Sequence, residues 1–476
     1  MTPFDLADFS ALSDGEQVSI VSSSSLVSDS RLDAECYKKI YIDNENTLLS
    51  KPYIHLGEET DKFVKGAFDI NADRYIDSGV PFIRISDLKE MLIDNNNLAY
   101  ISEEENEKYI NSCLLKGDIV ISKTAYPAAS LVTTEIANTS QDIIAVKLKS
   151  NSSISGKILV LFLNSRYGYL QMLRWFTGNI QMHLNLRDSK NIIIQDFSTD
   201  FQNTLESVFD LGAALLDLSE IKYKQAESIL LSEIGLTNRK PKHQLTFIKN
   251  HSDTRQAGRV DAEYYQPKYE EIIKAIQAYP GGWNILESLI KINDKSFSKK
   301  NNQEYKYIEL AHVGSNGEVT GCMIDEGLNL PSRAKRKVKT GDVIISSIEG
   351  SLSSIALIEN EYDQALCSTG FYVIRSDSIN SETLLILLKS LVGQLQLKKG
   401  CKGTILTAIN KEELKKIVLP KISKSKQLEI QQKVTESFNL RKQSKHLLEC
   451  AKRAVEIAIE QDEETALRWL EQETQS

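Results

Sequence analysis

The chain has 476 residues, 41% hydrophobic and 26% charged, an ordinary globular composition on a length that suits two or three domains. No stretch approaches 18 uninterrupted apolar residues, which excludes a membrane-spanning helix, and MTPFDLADFSALSDGEQ has no basic region ahead of an apolar block, so no secretory signal is expected. The net charge of −8 hides a division: residues 1–238 carry −13, residues 239–426 carry +8 and residues 427–476 carry −3, so only the middle block has the character that suits a polyanion.

Taken in chain order, the sequence is written twice. The Ser-rich stretch 21–30 has no clear second copy, but RLDAECY at Arg31–Tyr37 returns as RVDAEYY at Arg259–Tyr265. Phe82, Ile83 and Ile85 return as Tyr307, Ile308 and Leu310, and LKGDIVIS at Leu115–Ser122 returns as KTGDVIIS at Lys339–Ser346. Leu159–Gln171 returns as Leu384–Gln396, with Gly168 on Gly393 and Gln171 on Gln396. Gly178, Ile180, Leu184 and Asn185 return as Gly403, Ile405, Ile409 and Asn410, and Ile192–Ile194 as Ile417–Leu419. All offsets lie between 224 and 228. That period is far too long for a solenoid and indicates two whole domains of similar fold.

In each copy short apolar runs predict buried strands at 82–85 and 119–122, with the Gly-Asp pairs 117–118 and 341–342 turning into a strand. Helical spacing follows at 156–176 and 381–397. Residues 201–234 then contain no Pro and one Gly, and Phe201, Leu205, Val208, Gly212, Leu215, Lys222, Ala226 and Ile229 keep a narrow stripe. Beyond Pro420, Ile430, Val434, Leu448, Ala451, Val455 and Ala458 do the same. A stripe this narrow suits burial against another helix. The polar segment 237–258, with Pro241 and Gly258, predicts a linker that turns the chain back. The expected architecture is α+β: two similar mixed domains, each followed by a long helix, the helices packed antiparallel as a rod with a domain at each end.

Catalytic signatures are missing. The sequence has no GxxxxGK[ST], GxGxxG, GxSxG, HExxH or EF-hand loop, and no Pro-Pro dipeptide of the kind that marks an adenine methyltransferase loop. His55, His183, His243, His251, His312 and His446 stand apart, and the six cysteines (Cys36, Cys113, Cys322, Cys367, Cys401, Cys450) have no CxxC spacing. They predict reduced thiols in a cytoplasmic protein and no metal site.

Candidate contacts follow from residue type, since phosphates take Lys, Arg and hydroxyls, and base edges take Arg, Asn, Gln, Ser, Thr and carboxylates. After the Gly-Asp strands come Ser122, Lys123, Thr124 and Tyr126 in one copy and Ser346, Ser347, Glu349 and Ser351 in the other. Shared strands with unlike tips (KTAYPAAS against SIEGSLSS) are what reading two different sequences needs; an unselected surface loop is the plain alternative. A second cluster is Arg174, Asn179, Gln181, His183 and Asn185, whose counterpart holds Lys398, Lys399, Lys402, Thr404 and Asn410. The densest basic run is Arg333, Lys335, Arg336, Lys337 and Lys339, which reads either as a polyanion contact or as a solvated loop.

With these segments in view, nearly the whole chain resembles the DNA-specificity subunit of type I restriction–modification systems. The resemblance rests on the tandem order, on KGDIVISKTA and TGDVIISSIEG, on GNIQMHLN and GTILTAIN, and on KIVLPKISKSKQLEIQQKV with its Gln-x-x-Ile ahead of a long helix. The first copy departs from it: Gln195 stands where the second has Pro420, and no Gln-x-x-Ile occurs in DFSTDFQNTLESVF. The resemblance implies target-recognition domains at 1–200 and 259–422, a central long helix at 201–236, the linker at 237–258 and a C-terminal long helix at 423–476. It implies that each domain reads half of a split site on double-stranded DNA, that the helices dock two adenine methyltransferase subunits, and that a restriction motor-nuclease joins them. S-adenosylmethionine, ATP and Mg would sit on those partners, with no cofactor, catalytic residue or membrane contact in this chain. Three other readings stand beside it: a specificity subunit of another methylation-based phage defence, a duplicated nuclease with an unpatterned carboxylate site, and a protein-interaction scaffold.

Overall fold

The computed structural model describes residue 21 and residues 32–177, 183–237, 239, 241–403 and 407–474. The first block opens with α1 (Lys39–Leu49), β1 (Tyr53–His55), β2 (Thr60–Lys65), β3 (Val80–Ile83), β4 (Met91–Leu92), β5 (Ala99–Ile101) and α2 (Glu103–Lys108). It continues through β6 (Leu114–Leu115), β7 (Ile119–Ser122), β8 (Ala129–Leu131), β9 (Ile136–Thr139), β10 (Ile143–Leu148), α3 (Gly156–Asn164) and α4 (Arg166–Trp175). It ends with β11 (Phe176–Thr177), β12 (His183–Leu184), α5 (Leu186–Ser189), β13 (Ile193–Gln195) and the long helix α6 (Thr199–Glu233).

The second block repeats this order. After α7 (His251–Ala257), which lies inside the segment expected as a linker, come α8 (Pro267–Gln277), β14 (Trp283–Ile285), β15 (Ile290–Asn293), β16 (Glu304–Ile308), β17 (Met323–Glu326) and β18 (Ala334–Lys337). Then follow β19 (Val343–Ser346), β20 (Ile355–Leu357), β21 (Leu366–Ser368), β22 (Phe371–Ser376), α9 (Ser381–Lys389) and α10 (Leu391–Gly400). The block closes with β23 (Cys401–Lys402), β24 (Ala408–Ile409), α11 (Lys411–Lys415), β25 (Val418–Pro420), α12 (Lys424–Glu460) and α13 (Glu463–Thr474).

Strand order carries the duplication past sequence identity. The first copy has sheets β2-β10-β7-β8-β4 and β5-β3-β9-β6, and the second has β15-β22-β19-β20 and β17-β16-β21-β18, so that among the described residues of these sheets only β4 lacks a counterpart. In both, a parallel pair (β3 with β9, β16 with β21) sits among antiparallel neighbours, and in the first copy β4 adds a second by joining β8 in parallel. The shared residues explain why. Gly117 and Gly341 take φ of +92° and +83°, a region costly for residues with a Cβ. Asp118 and Asp342 then accept the backbone N–H of Leu115 (2.8 Å) and Lys339 (2.8 Å), closing the turn that starts β7 and β19.

A second shared device ties helix to strand. The buried Gln171 amide donates to the Ile193 carbonyl and accepts the Ile193 N–H, both at 2.8 Å. Gln396 makes the same two bonds to Val418, at 2.9 and 2.8 Å. A primary amide is the side chain that can imitate a backbone peptide in both directions, which is why Gln stands at both positions.

Contacts divide the chain into two compact units, residues up to Leu215 with Gln443 onward, and Leu216–Lys442. Both long helices contribute to both units. α6 has 35 residues and α12 has 37, about 52 and 55 Å at 1.5 Å per residue. In each unit the two helices run antiparallel through small residues. In the first unit a Cβ on Gly212 would lie 3.0 Å from Leu448 Cγ and 3.5 Å from the Ser444 carbonyl. In the second, buried Ser437 donates to the Ser219 carbonyl at 2.8 Å. Ser437 is the repeat equivalent of Gly212, and Ser219 of Ser444, so the crossing itself is duplicated. Around it Tyr223, Ala226, Leu230, Ile430, Val434 and Phe438 join one apolar core of the second unit.

Three expectations change. The C-terminal run is two helices: Asp462 accepts the Thr465 N–H at 2.7 Å and starts α13, with Glu463 and Glu464 in its first turn. The first copy does have the element read as missing before its long helix. Gln202 donates to the Phe197 carbonyl at 3.0 Å as Gln427 does to the Ile422 carbonyl at 2.9 Å. Leu205 stands for Ile430, and only the amide is chemically demanding. Finally, the basic run is not simply a loop: Arg333 stands in a turn and Ala334–Lys337 is the edge strand β18.

Candidate nucleic-acid interface

The sequence places two separate polar clusters in each copy, and the fold joins them. In the first unit, Leu184 N–H donates to the Lys123 carbonyl at 2.8 Å, and Thr124 bridges His183. In the second, Ile409 N–H donates to the Ser347 carbonyl at 2.8 Å, Ile348 bridges Ala408 and Glu349 N–H donates to the Thr407 carbonyl at 2.9 Å. The strand-end tip and the Gly…Asn hairpin are thus one composite loop pair, built twice. This pairing is carried by backbone groups, so residue types do not announce it.

Within the pair, several side chains singled out by type are structural. Ser122 is fully buried; its hydroxyl donates to the Tyr126 carbonyl and accepts Ala128 N–H at 2.9 Å. Ser346 is equally buried, 2.8 Å from Ser351 Oγ, and it accepts Ile348 N–H at 3.2 Å. Thr124 is buried. Asn185 and Asn410 are exposed but cap α5 and α11, accepting Arg187 N–H and Glu413 N–H, both at 2.9 Å. These residues shape the loops. A hydroxyl or amide that satisfies a bent backbone has the same composition as one that meets DNA.

Arg174 also turns inward. It is 6% exposed, donates to the Cys36 carbonyl at 2.9 Å, pairs with Glu45 at 3.1 Å and stacks 5.5 Å over Trp175 and 6.0 Å over Tyr37. Its counterpart Lys399 lies 5.0 Å over Tyr264, and burial pulls its ammonium below the usual range. Both cations fasten the repeated RLDAECY and RVDAEYY segments to the fold.

The side chains left at the loop surfaces differ between copies. Tyr126 is 44% exposed beside Ala125, whose φ is +69°, and its hydroxyl is anchored on the Leu88 carbonyl at 3.0 Å. Half-buried Lys123 has its ammonium pulled down by burial, then by Lys65. In the second unit Ser347 donates to the Gly370 carbonyl at 2.8 Å, Glu349 is paired with Lys398, and Lys402 lies 3.3 Å from Glu413. Asn179, Gln181 and Thr404 lie outside the described residues.

The basic run divides by burial, across a register shift between Ala334 and Arg336. Arg333 and Lys335 are exposed, whereas half-buried Arg336 donates to the Phe371 carbonyl and lies 5.7 Å over Tyr372. Lys337 lies 5.1 Å over Phe297. Elsewhere, among the described residues no cluster of three or more His, Cys, Asp or Glu could hold a metal ion. No described helix is long and apolar enough to cross a membrane.

No model of a protein family matches the chain, and no curated protein matches it. Among solved structures it is similar to the S subunit of a type I restriction–modification system from M. genitalium, with 12% identity over 88% of this chain and 95% of that one and a TM-score of 0.36. It is also similar, at 14% identity over 89% of this chain, to the HsdS subunit from Thermoanaerobacter tengcongensis, covering 96% of that chain with a TM-score of 0.24. A third is a chain from a study of complex assembly and conformational transition of the type I R-M system, at 14% identity, 89% and 97% coverage and a TM-score of 0.26.

Proposed function

We propose that this chain is the non-catalytic DNA-specificity subunit of a type I restriction–modification complex. The observation that carries this reading is the duplicated loop pair: one backbone scaffold, built twice, with unlike side chains left at its surface. Recognition of two different half-sites asks for that combination, because phosphate and scaffold contacts set position while a few divergent side chains set sequence. The two long helices would offer faces to two adenine methyltransferase subunits. Those partners would carry S-adenosylmethionine, and a restriction motor-nuclease would carry ATP and Mg. The complex would act on double-stranded DNA in the cytoplasm.

The test is to express the chain with the methyltransferase encoded beside it and map methylated adenines across the host genome. A two-part motif with a fixed gap is expected. Tyr126→Ala should alter one half of that motif and Glu349→Ala the other. Methylation without a bipartite motif, or a change in both halves from either substitution, overturns the reading. A purified chain that cleaves duplex DNA with Mg²⁺ alone would turn it towards the nuclease alternative.

A further inference from the structure

The outer edge of β18 is not bare. The end of β15 and the segment after it run along it: Asn293 Nδ2 donates to the Lys337 carbonyl at 2.9 Å, Phe297 N–H donates to the Lys335 carbonyl at 2.7 Å, and Lys299 Nζ donates to the carbonyls of Leu330 and Pro331 at 2.8 and 3.0 Å. Two basic stretches distant in sequence, Lys295–Lys300 and Arg333–Lys339, are thereby laid side by side on fixed backbone. Lys295, Lys300, Arg333, Lys335 and Lys339 are exposed. Among the described residues, no carboxylate is paired with the four lysines. Strand pairing on one side and the Phe297 contact on the other hold their main chain, which a merely solvated loop would not require.

Among the described residues the first unit has no such basic edge. There β6 replaces β18 and is two residues long, and the corresponding segment before β3 lies against β5 instead, with Ile76 N–H donating to the Tyr100 carbonyl at 3.0 Å, and carries exposed Asp69, Asp73 and Asp77. The helix α2 adds exposed Glu103, Glu104 and Glu107, while Arg74 is taken by Glu105 at 2.7 Å. Duplication has therefore kept the sheets but not the charge: the segment between the second and third strands of each copy is basic in the second unit and acidic in the first.

We infer that the β18 edge with residues 295–300 is a track for the phosphate backbone of duplex DNA, and that the second unit supplies most of the sequence-independent hold. This rests on the proposed role in DNA recognition and adds to it a division of labour. The first unit would read its half-site with little electrostatic grip of its own. Phosphate contacts release counterions, so each one lost lowers the salt dependence of binding in a countable way.

The experiment measures binding of the full chain to a random-sequence duplex across a salt series. Neutralising Lys295, Lys300, Lys335 and Lys339 to Gln should reduce the log–log salt slope by about three to four, at roughly 0.9 per phosphate. The matching change in the first unit, Lys108→Gln with Lys116→Gln, should move it by less than about one. All are exposed side chains, and thermal melting of each variant checks folding. Single Lys335→Gln and Lys339→Gln chains, each expected to lower the slope by about one, give the same reading if the fourfold variant melts early. A folded fourfold variant with an unchanged slope overturns the track while leaving specific recognition standing. Equal losses from both units overturn the asymmetry, and tighter binding of single-stranded RNA than of duplex DNA overturns the partner. A chain that binds no duplex, alone or with its methyltransferase, removes the proposed function itself.

Discussion

The two units share their interior and differ at their rims. The Gly-Asp turns, the Gln clamps, the Asn caps and the loop-to-loop hydrogen bond recur at offsets of 224 or 225 residues, because each solves a backbone problem that both copies have. The β18 edge is basic and the first unit's segment before β3 is acidic, because nothing in the fold constrains the charge of a solvated rim. Conservation between copies thus marks structure here, and divergence marks the surfaces free to acquire a partner.

The largest expected effect tests the shared interior. Gln171→Leu and Gln396→Leu each orphan a buried backbone N–H and a carbonyl, at about 1–3 kcal/mol apiece. Each should destabilise its own unit by about 2–4 kcal/mol, and by similar amounts, in chemical denaturation. A loss in one unit only would mean that the clamps are alike in geometry but not in energetic role.

A smaller effect separates interior from rim within the basic run. Arg336→Ala removes a hydrogen bond to the Phe371 carbonyl and the contact over Tyr372. The expected cost is about 1–2 kcal/mol of stability, with no change in the salt slope of DNA binding. A reduced slope with unchanged stability would return Arg336 to the phosphate-contacting set.

The same distinction explains what could be read in advance. The apolar strands, the Gly-Asp turns, the long helices and Gln171 with Gln396 were legible because both copies preserve them. Gln202 was not, because Leu205 in place of Ile broke the pattern while leaving the chemistry intact. Ser122, Ser346 and Arg174 have the residue types of DNA contacts, yet the serines are spent within their own loops and Arg174 on the Cys36 carbonyl and the Glu45 carboxylate. Arg336 was decidable only once its run became a strand: the register shift between Ala334 and Arg336 leaves Lys335 exposed while Arg336 turns to the Phe371 carbonyl and the Tyr372 ring. The pairing of the two loop clusters was hidden altogether, since amide and carbonyl groups leave no trace in residue identity.

The smallest effect lies at the helix crossing. In the second unit Lys222 pairs with Glu436 at 2.9 Å, and Lys433 adds a contact at 3.1 Å. These hydrogen bonds, Lys222's first, pull the Glu436 carboxyl from its ordinary 4.5 down to about 2. The equivalent positions in the first unit are Leu447 and Leu211, which have no charge to lose. A carboxyl with a depressed folded pKa contributes stability above its unfolded value, and that contribution fades as pH falls from about 4.5 towards 2. The pair is partly exposed, so Glu436→Gln should cost only about 0.5 kcal/mol at neutral pH. The gap between wild type and variant should close as pH drops below 4.5, and high salt should narrow it at neutral pH. Unfolding followed unit by unit would place the whole change in the second unit. A gap that persists undiminished at low pH would show that Glu436 acts through packing, and the two crossings would then differ in shape instead of charge.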